Sequence, residues 1–299
     1  MKKIFVCEYI GKEIYAFLSE RFEIVSGWDR LNEVEGLITR NFKVTADMMD
    51  KAERLRVIGV FGTGMNSVDL AAAKQRNIDV FSAPGQNAYS VAELIISLML
   101  DISKRVTVCD RLIRQGKITH NAPLELIGCD LRGKTLGLIG TGNIAAHTAK
   151  IARDGFGMRV IGWSAHFTQE KADKMGIEYA TGLAEIMSLS DYVSISVPLT
   201  DSTRGLVSRD MLSLMKPTAF LINTARGAVI DEDALYDMLK EGKIAGAACD
   251  VFNIEPPTAD NRLFSLDNFV GTPHIGDNTE DAVYRVGRVI ADGMAERLI

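Results

Sequence analysis

Short runs of valine, isoleucine and leucine alternate with helix-like segments along almost the whole chain. That alternation restricts the fold more than any other feature. The strand candidates are Lys3–Cys7, Gly36–Ile38, Arg56–Val60, Asp79–Phe81, Thr135–Ile139, Arg159–Trp163, Tyr192–Val197, Ala219–Asn223 and Ile244–Asp250. Several are apolar at consecutive positions, as strands covered on both faces are. Apolar residues at helical spacing fill the intervals, as at Thr45–Glu53, Ser67–Gln75, Asn143–Arg153 and Asp231–Lys240. Repeated strand–helix units of this kind predict an α/β fold with parallel sheets.

One stretch departs from the rhythm. Ser90–Gln115 is helical in pattern throughout, and Ser90 followed by Glu93 has the spacing of a capping box. A long helix there predicts a spine between two α/β sets. The last helical pattern, Thr279–Ile299, follows the final strand signal and is expected to return to the first set. The expected division is therefore a discontinuous domain of residues 1–90 plus 277–299 and a second domain of residues 91–276. A chain of 299 residues is long enough for both.

The composition excludes several functions. Charged residues make up 24% of the chain and the net charge is −5, with no lysine or arginine cluster. No nucleic-acid partner is expected. Cys7, Cys109, Cys129 and Cys249 are far apart and form no C-x-x-C. They predict neither a disulfide framework nor a metal site, but reduced thiols in a cytoplasmic protein. The N-terminal MKKIFVCEYI is cut short by Glu8 and reads as a first strand, not a signal peptide. The longest apolar run, Val91–Leu100, contains Glu93 and is too short to span a bilayer, so no membrane partner is expected.

Gly-Thr-Gly occurs twice. In GLIGTGNIAAHTAK a strand runs into glycines and then into a helix. A dinucleotide site needs one glycine for the tight turn, a second for approach of the pyrophosphate, and a small residue for helix–strand packing. The phosphates then lie at the positive end of the helix. Gly140, Gly142 and Ala145 fill those places, with Thr141, Asn143 and Ile144 between them. The following strand at Met158–Trp163 completes a βαβ unit. The earlier copy, VIGVFGTGMNSVDL, carries Ser67 at its third position and bulky Phe61 and Met65 beside it. It reads either as a structural turn or as a loop whose amides grip a small anion such as a carboxylate. The ribose 2′-hydroxyl is usually held by an acid about 20 residues after the glycines. Ser164 stands at that place here, followed by His166. Lack of a carboxylate permits a 2′-phosphate, which favours NADP(H) over NAD(H).

Three polar residues follow late strands, at the edge where open α/β sheets bind ligands. They are Arg226 in FLINTARGAVIDEDAL, Glu255 in ACDVFNIEPP and His274 in VGTPHIGDN. Singly, each is an ordinary surface charge or structural histidine. Together they supply what hydride transfer to a 2-oxo acid requires. An arginine holds a carboxylate bidentately and polarises the adjacent carbonyl. A histidine exchanges the proton of the carbonyl oxygen. A carboxylate beside it orients the imidazole and favours its protonated form.

The chain resembles the D-isomer-specific 2-hydroxyacid dehydrogenases from about Thr39 to about Glu280. The resemblance is carried by TRNFKVTADMMDKAERLRVIGVFGTGMNSVD, PGQNAYSVAE, LRGKTLGLIGTGNIA, VPLTDSTRGLVS, MKPTAFLINTARGAVIDEDAL, ACDVFNIEP and TPHIG. It implies two Rossmann-like domains with parallel sheets, joined by long helices, with a cofactor cleft between them. Residues 1–90 plus 277–299 would be the substrate domain and 91–276 the dinucleotide-binding domain. It implies that Arg226 binds substrate, His274 is the acid/base and Glu255 pairs with it. It further implies that Asp250 holds the nicotinamide carboxamide, that Val197, Pro198, Thr224 and Ala225 line the cofactor, and that Phe61, Gly62, Thr63 and Gly64 belong to the substrate-carboxylate loop. A homodimer through the nucleotide domain is implied as well.

The chain also departs from the family. Many NAD-using members carry an acid where Ser164 stands, and phosphoglycerate dehydrogenases commonly carry an arginine where Val60 stands. No C-terminal regulatory domain is expected. These departures favour glyoxylate, hydroxypyruvate or a modest aliphatic 2-oxo acid over a phosphorylated substrate. The expectation is thus an NAD(P)H-dependent oxidoreductase acting on a small 2-oxo acid. The alternatives are a formate dehydrogenase on the same scaffold, which an intact Glu–His pair argues against, and a non-catalytic NAD(H)-sensing, corepressor-like binding protein.

Overall fold

The computed structural model describes residues 1–299. The chain divides into two compact units, Met1–Asn87 with Asp277–Ile299, and Ala88–Gly276.

The first unit contains β1 (Lys2–Val6), α1 (Lys12–Ser19), β2 (Phe22–Val25), β3 (Gly36–Thr39), α2 (Ala46–Lys51), β4 (Val57–Val60), α3 (Leu70–Gln75) and β5 (Asp79–Ser82), and ends with the C-terminal helix Glu280–Leu298. Its sheet is parallel, in the order β2-β1-β3-β4-β5. Successive strand residues face opposite sides. Ile4, Ile38 and Val57 pack with Val286, Ile290, Met294 and Leu298 of the C-terminal helix. Phe5, Leu37 and Ile58 pack on the other face with Met49, Ala72 and Ala73. Ile290 and Met294 are 1% and 0% exposed, and each such side chain contributes roughly 1.5–3 kcal/mol by burial. Thr279 caps this helix by accepting the Ala282 N–H at 3.1 Å. Strand order reverses between β1 and β3. There the Glu8 Oε2 accepts the N–H groups of Arg40, Asn41 and Phe42 at 2.7, 2.7 and 2.9 Å.

The second unit contains α4 (Ala88–Lys104), α5 (Val106–Arg114), β6 (Thr135–Ile139), α6 (Asn143–Phe156), β7 (Arg159–Trp163), α7 (Gln169–Met175), β8 (Glu178–Tyr179), α8 (Leu183–Leu189), β9 (Tyr192–Ile195), α9 (Arg209–Ser213), β10 (Phe220–Asn223), α10 (Glu232–Lys240), β11 (Gly246–Cys249) and β12 (Phe269–Gly271). The sheet is parallel, in the order β12-β11-β10-β9-β6-β7-β8. This is a doubly wound arrangement whose order reverses between β6 and β9, the place where such sheets bind ligands. Leu136, Leu138, Tyr192 and Ile222 pack toward α4 and α6. Ile139, Val193, Ile195 and Leu221 pack toward α8 and α10. Burial on both faces explains the continuous apolar runs.

Two expectations about the long helical stretch are corrected. Ser90–Gln115 is not one helix. It breaks at Arg105, which is left-handed at φ 57°. The Asp101 carboxylate starts the second helix by accepting the Thr107 N–H at 2.8 Å and its hydroxyl at 2.5 Å. Ten residues of α4 are buried, whereas only Val108 of α5 is, so no shared apolar stripe keeps the two collinear. Nor does Ser90 begin a helix. α4 starts at Ala88, and Ser90 lies on its buried side. Three strands also went unforeseen: β2, β8 and β12. β8 and β12 have two and three residues, too few to display a strand period, and the apolar run of β2 is interrupted by exposed Glu23.

Candidate active site

The second Gly-Thr-Gly forms a turn of the kind phosphates require. Gly140 has φ +98°, and a Cβ there would lie 2.7 Å from the Ser196 carbonyl oxygen. Only glycine fits, because the backbone is left-handed and the next strand's backbone is in contact. The Gly140 N–H donates to the Trp163 carbonyl at 2.8 Å, tying the turn to β7. Gly142 is the N-cap of α6 and provides no side-chain cap, so the first amides of that helix lack a side-chain partner. A Cβ at Gly142 would meet nothing within 4 Å. Ala145 is fully buried between helix and sheet. Asn143 and Ile144 open the helix.

The neighbouring strand ends carry two further hydroxyls. Ser196 follows β9 and Thr224 follows β10. Both hydroxyl oxygens are buried and have no hydrogen-bond partner within the protein. Buried polar groups are normally paired; these two orphaned hydroxyls, with those of Ser67 and Ser194, lack partners within the protein, and Ser196 and Thr224 stand at the strand ends beside the switch between β6 and β9. Thr224 is among the residues the family resemblance implies line the cofactor; Ser196 is not among them, because a lone serine after a strand has no pattern of its own. Val197 and Ala225 are buried beside them and Pro198 is exposed. At the end of β7, the Ser164 hydroxyl is 2.8 Å from that of Thr141. This bond joins the nucleotide turn to the position expected to face the ribose.

The first Gly-Thr-Gly differs, and it belongs to the first unit. α3 does not begin until Leu70, capped by Asp69, so no helix start meets Gly62 and Gly64. The Gly62 carbonyl accepts the Ala83 N–H at 2.8 Å. The Thr63 hydroxyl donates to Asn87 Oδ1 at 3.0 Å. One expected member of this loop is corrected. Phe61 is only 4% exposed, packed among Ile4, Ile38 and Ala83, and its amide donates to the Thr39 carbonyl at 2.7 Å. Neither its ring nor its N–H is open to a ligand.

The second unit brings Arg226, Glu255 and His274 together. Arg226 follows β10 in a turn shaped by Asn223, whose side chain accepts the Ala225 N–H at 3.0 Å and donates to the Arg226 carbonyl at 3.1 Å. The next residue, Gly227, abuts the loop after β11: a Cβ there would lie 2.0 Å from the Phe252 carbonyl carbon. That contact sets the Arg226 turn against the segment carrying Glu255. Glu255 Oε1 accepts the Phe252 N–H at 3.0 Å. Its Oε2 is 2.9 Å from His274 Nδ1. This places the imidazole Nδ1–H on the carboxylate and leaves Nε2 for other work. The Arg226 guanidinium donates to the Ala225 carbonyl at 2.6 Å and is paired with no carboxylate.

Electrostatics follow from this geometry. The Glu255 hydrogen bond holds the His274 pKa above its ordinary value; burial and the Arg226 charge oppose it. Burial alone would raise the Glu255 carboxyl, but the His274 and Phe252 hydrogen bonds bring it below its usual value. Each side chain is about one-third exposed, at 31% and 33%, so solvent moderates the pair.

Asp250, at the end of β11 and 1% exposed, holds the histidine turn. Its Oδ1 accepts the Thr272 hydroxyl at 2.5 Å and the Ile275 N–H at 2.8 Å. Its Oδ2 accepts the Gly276 N–H at 2.9 Å, and its carbonyl accepts the His274 N–H at 2.8 Å. These bonds secure His274 in a left-handed conformation, φ 56°, which costs a non-glycine residue on the order of 1–2 kcal/mol. Burial pushes the Asp250 carboxyl up, against the lowering effect of its hydrogen bonds. Oδ2 retains a lone pair for one more donor.

Comparison with known proteins points one way. The family model for "D-isomer specific 2-hydroxyacid dehydrogenase, NAD binding domain" matches residues 96–276. A hydroxypyruvate reductase from Thermotoga maritima is 39% identical over 97% of this chain and 93% of its own length. A D-3-phosphoglycerate dehydrogenase from Methanocaldococcus jannaschii is 38% identical over 98% of this chain, which spans 56% of that protein's length. Among solved structures, an NADPH-dependent glyoxylate/hydroxypyruvate reductase from Sinorhizobium meliloti, in complex with NADP and malonate, superposes with a TM-score of 0.86 at 28% identity. It covers 98% of this chain and 92% of its own.

Proposed function

Because the chain belongs to the D-isomer-specific 2-hydroxyacid dehydrogenase family, we propose that it is an NAD(P)-dependent oxidoreductase interconverting small 2-oxo acids and D-2-hydroxy acids. The observation that carries this reading is the 2.9 Å contact between His274 Nδ1 and Glu255 Oε2, beside an arginine that no carboxylate neutralises. In the reductive direction, Arg226 binds the substrate carboxylate through two parallel N–H bonds and draws electron density from the adjacent carbonyl. His274 gives its Nε2 proton to the carbonyl oxygen as negative charge develops there. Glu255 keeps the imidazole oriented and protonated to higher pH, and stabilises the charged ring. In oxidation the neutral imidazole takes the proton back.

A bound nicotinamide cofactor supplies the hydride. Gly140, Thr141, Gly142, Asn143 and Ile144 would hold its pyrophosphate. Ser196, Val197, Pro198, Thr224 and Ala225 would line it, Ser164 would face the adenosine ribose, and the remaining lone pair of Asp250 suits the carboxamide. In the first unit, the free amides of the Gly62–Gly64 loop suit a carboxylate. Glyoxylate and hydroxypyruvate are the preferred substrates. Val60 and Phe61 are core residues, and Arg40 is tied to Asp277 at 2.9 Å, so this loop offers no uncommitted cation to a phosphate. NADP(H) is the preferred cofactor, and a cytoplasmic homodimer the preferred form, with all four cysteines free.

The test is the near-ultraviolet absorbance of NADH and NADPH incubated with glyoxylate, hydroxypyruvate, 3-phosphohydroxypyruvate and pyruvate. Oxidation of the cofactor by glyoxylate or hydroxypyruvate is expected. No oxidation with any 2-oxo acid refutes the activity, and a dominant rate with the phosphorylated acid refutes the substrate preference.

A further inference from the structure

The ribose end of the nucleotide turn holds a cation that the sequence motifs do not mark. The segment 159–168, RVIGWSAHFT, has no acid. After β7 the chain turns back at once: the Phe167 N–H donates to the Ser164 carbonyl at 3.0 Å. The Phe167 ring, 6% exposed, anchors that turn in the core. Ser164 is thereby fixed between the nucleotide turn, through the Thr141 hydroxyl, and residues 165–167. Over this turn lies Lys171, from the first turn of α7. Its ammonium donates to the His166 carbonyl at 2.9 Å.

The neighbouring charges leave that ammonium uncommitted. Glu170 is paired with Lys174 at 2.6 Å, and Asp173 accepts from Gln169 at 2.8 Å. No carboxylate is paired with Lys171. An ammonium has three donors, and here one is used. The paired Ser164 and Thr141 hydroxyls and the Lys171 ammonium thus sit on the one turn where the ribose 2′ position is expected, with no acid in residues 159–168 to oppose an anion.

Resting on the dinucleotide reading of Gly140–Ile144, we propose that Lys171 is a specificity-determining residue that selects a 2′-phosphorylated cofactor. Its ammonium pairs with the phosphate, while the hydroxyl of the Ser164–Thr141 pair whose proton is not spent on the other donates a further hydrogen bond to it. The charge is borrowed from the following helix, which is why the residues directly after β7 show none of the arginines that would announce it.

The experiment is equilibrium titration of the full chain with NADPH and with NADH, followed by fluorescence of the reduced nicotinamide, for the wild type, Lys171→Met and Lys171→Arg. Loss of one charge-assisted contact weakens NADPH by about tenfold. Lys171→Met should show that loss, with NADH changed less than about twofold, and Lys171→Arg should keep most of the NADPH affinity. The NADPH advantage of the wild type should shrink as salt rises. Equal weakening of both cofactors, or NADPH binding indifferent to Lys171→Met, overturns the role of Lys171 while leaving the nucleotide site intact. Failure of the wild type to bind either cofactor overturns the nucleotide site and this proposal together.

Discussion

The two glycines of the nucleotide turn should respond oppositely to the same added methyl group. At Gly140 the methyl faces a left-handed backbone, φ +98°, and the Ser196 carbonyl at 2.7 Å and its carbon at 2.8 Å. The conformational penalty is on the order of 1–2 kcal/mol, and forcing apart two fixed backbones adds about 1–3 kcal/mol. Gly140→Ala should therefore lose roughly 2–5 kcal/mol, lowering the thermal midpoint by roughly 4–20 °C for a unit of this size. At Gly142 the backbone is ordinary, φ −83°, and the methyl meets no protein atom within 4 Å. Gly142→Ala should leave the unliganded midpoint within about 2 °C, since substitutions free of clash and strain change stability by about 0.5 kcal/mol or less. Its cost should appear on binding, because the methyl stands where pyrophosphate approaches the helix start. Dinucleotide affinity should fall by at least about tenfold, the effect of removing one good charge-assisted contact. Calorimetry without ligand and cofactor titration separate the two effects. Undiminished cofactor binding by Gly142→Ala, or equal destabilisation by both substitutions, refutes the assignment of this turn.

The remaining predictions concern the catalytic group. His274→Gln and Arg226→Ala should each lower turnover by at least about 100-fold, with cofactor affinity preserved in direct titration; near-normal steady-state rates would contradict the assigned roles. Glu255→Gln removes the hydrogen-bonded charge that raises the His274 pKa. The loss of reductive turnover with rising pH should then begin at lower pH than in the wild type, and an unmoved alkaline limb would exclude Glu255 as the cause. His274 is raised, so its share of stability is complete below its unfolded value near 6.5 and is lost as pH rises through the folded value. Glu255 is lowered, so its share is present above the unfolded value near 4.5 and is lost as pH falls through the folded one. Denaturant unfolding across pH should show the pair's contribution between those limits, and Glu255→Gln should flatten it. Asp250→Asn replaces one acceptor oxygen with a donor facing the histidine turn. It should cost roughly 1–3 kcal/mol and reduce turnover with little effect on binding of the adenosine half, as measured with ADP. Wild-type stability by urea unfolding would show that the turn does not depend on Asp250.

The sequence by itself determined the fold class, because parallel strands buried on both faces must be apolar without interruption, as at Thr135–Ile139 and Tyr192–Ile195. It marked both glycine turns as strand-to-helix junctions, with small Ala145 favouring the second, but only the structure showed that α3 begins at Leu70, well after Gly64. Arg226 and Glu255 were legible as candidates because each follows a late strand, at the edge where such sheets bind ligands, and His274 because it is one of few histidines and lies in a Gly- and Pro-rich turn. Other features depended on partners remote in the chain. The break at Arg105 is set by Asp101 and by a buried face that ends with α4, and helical periodicity registers neither. β2, β8 and β12 exist through pairing with neighbours rather than through a pattern of their own. Phe61 stands beside a glycine loop in sequence, yet the C-terminal helix helps draw the surrounding face into a core. The hydroxyl of Ser196, the grip of Asp250 on the turn of His274 and the reach of Lys171 to the His166 carbonyl are tertiary facts. Hydrogen bonds are directional over about 3 Å, and only the folded backbone brings those donors and acceptors within that distance.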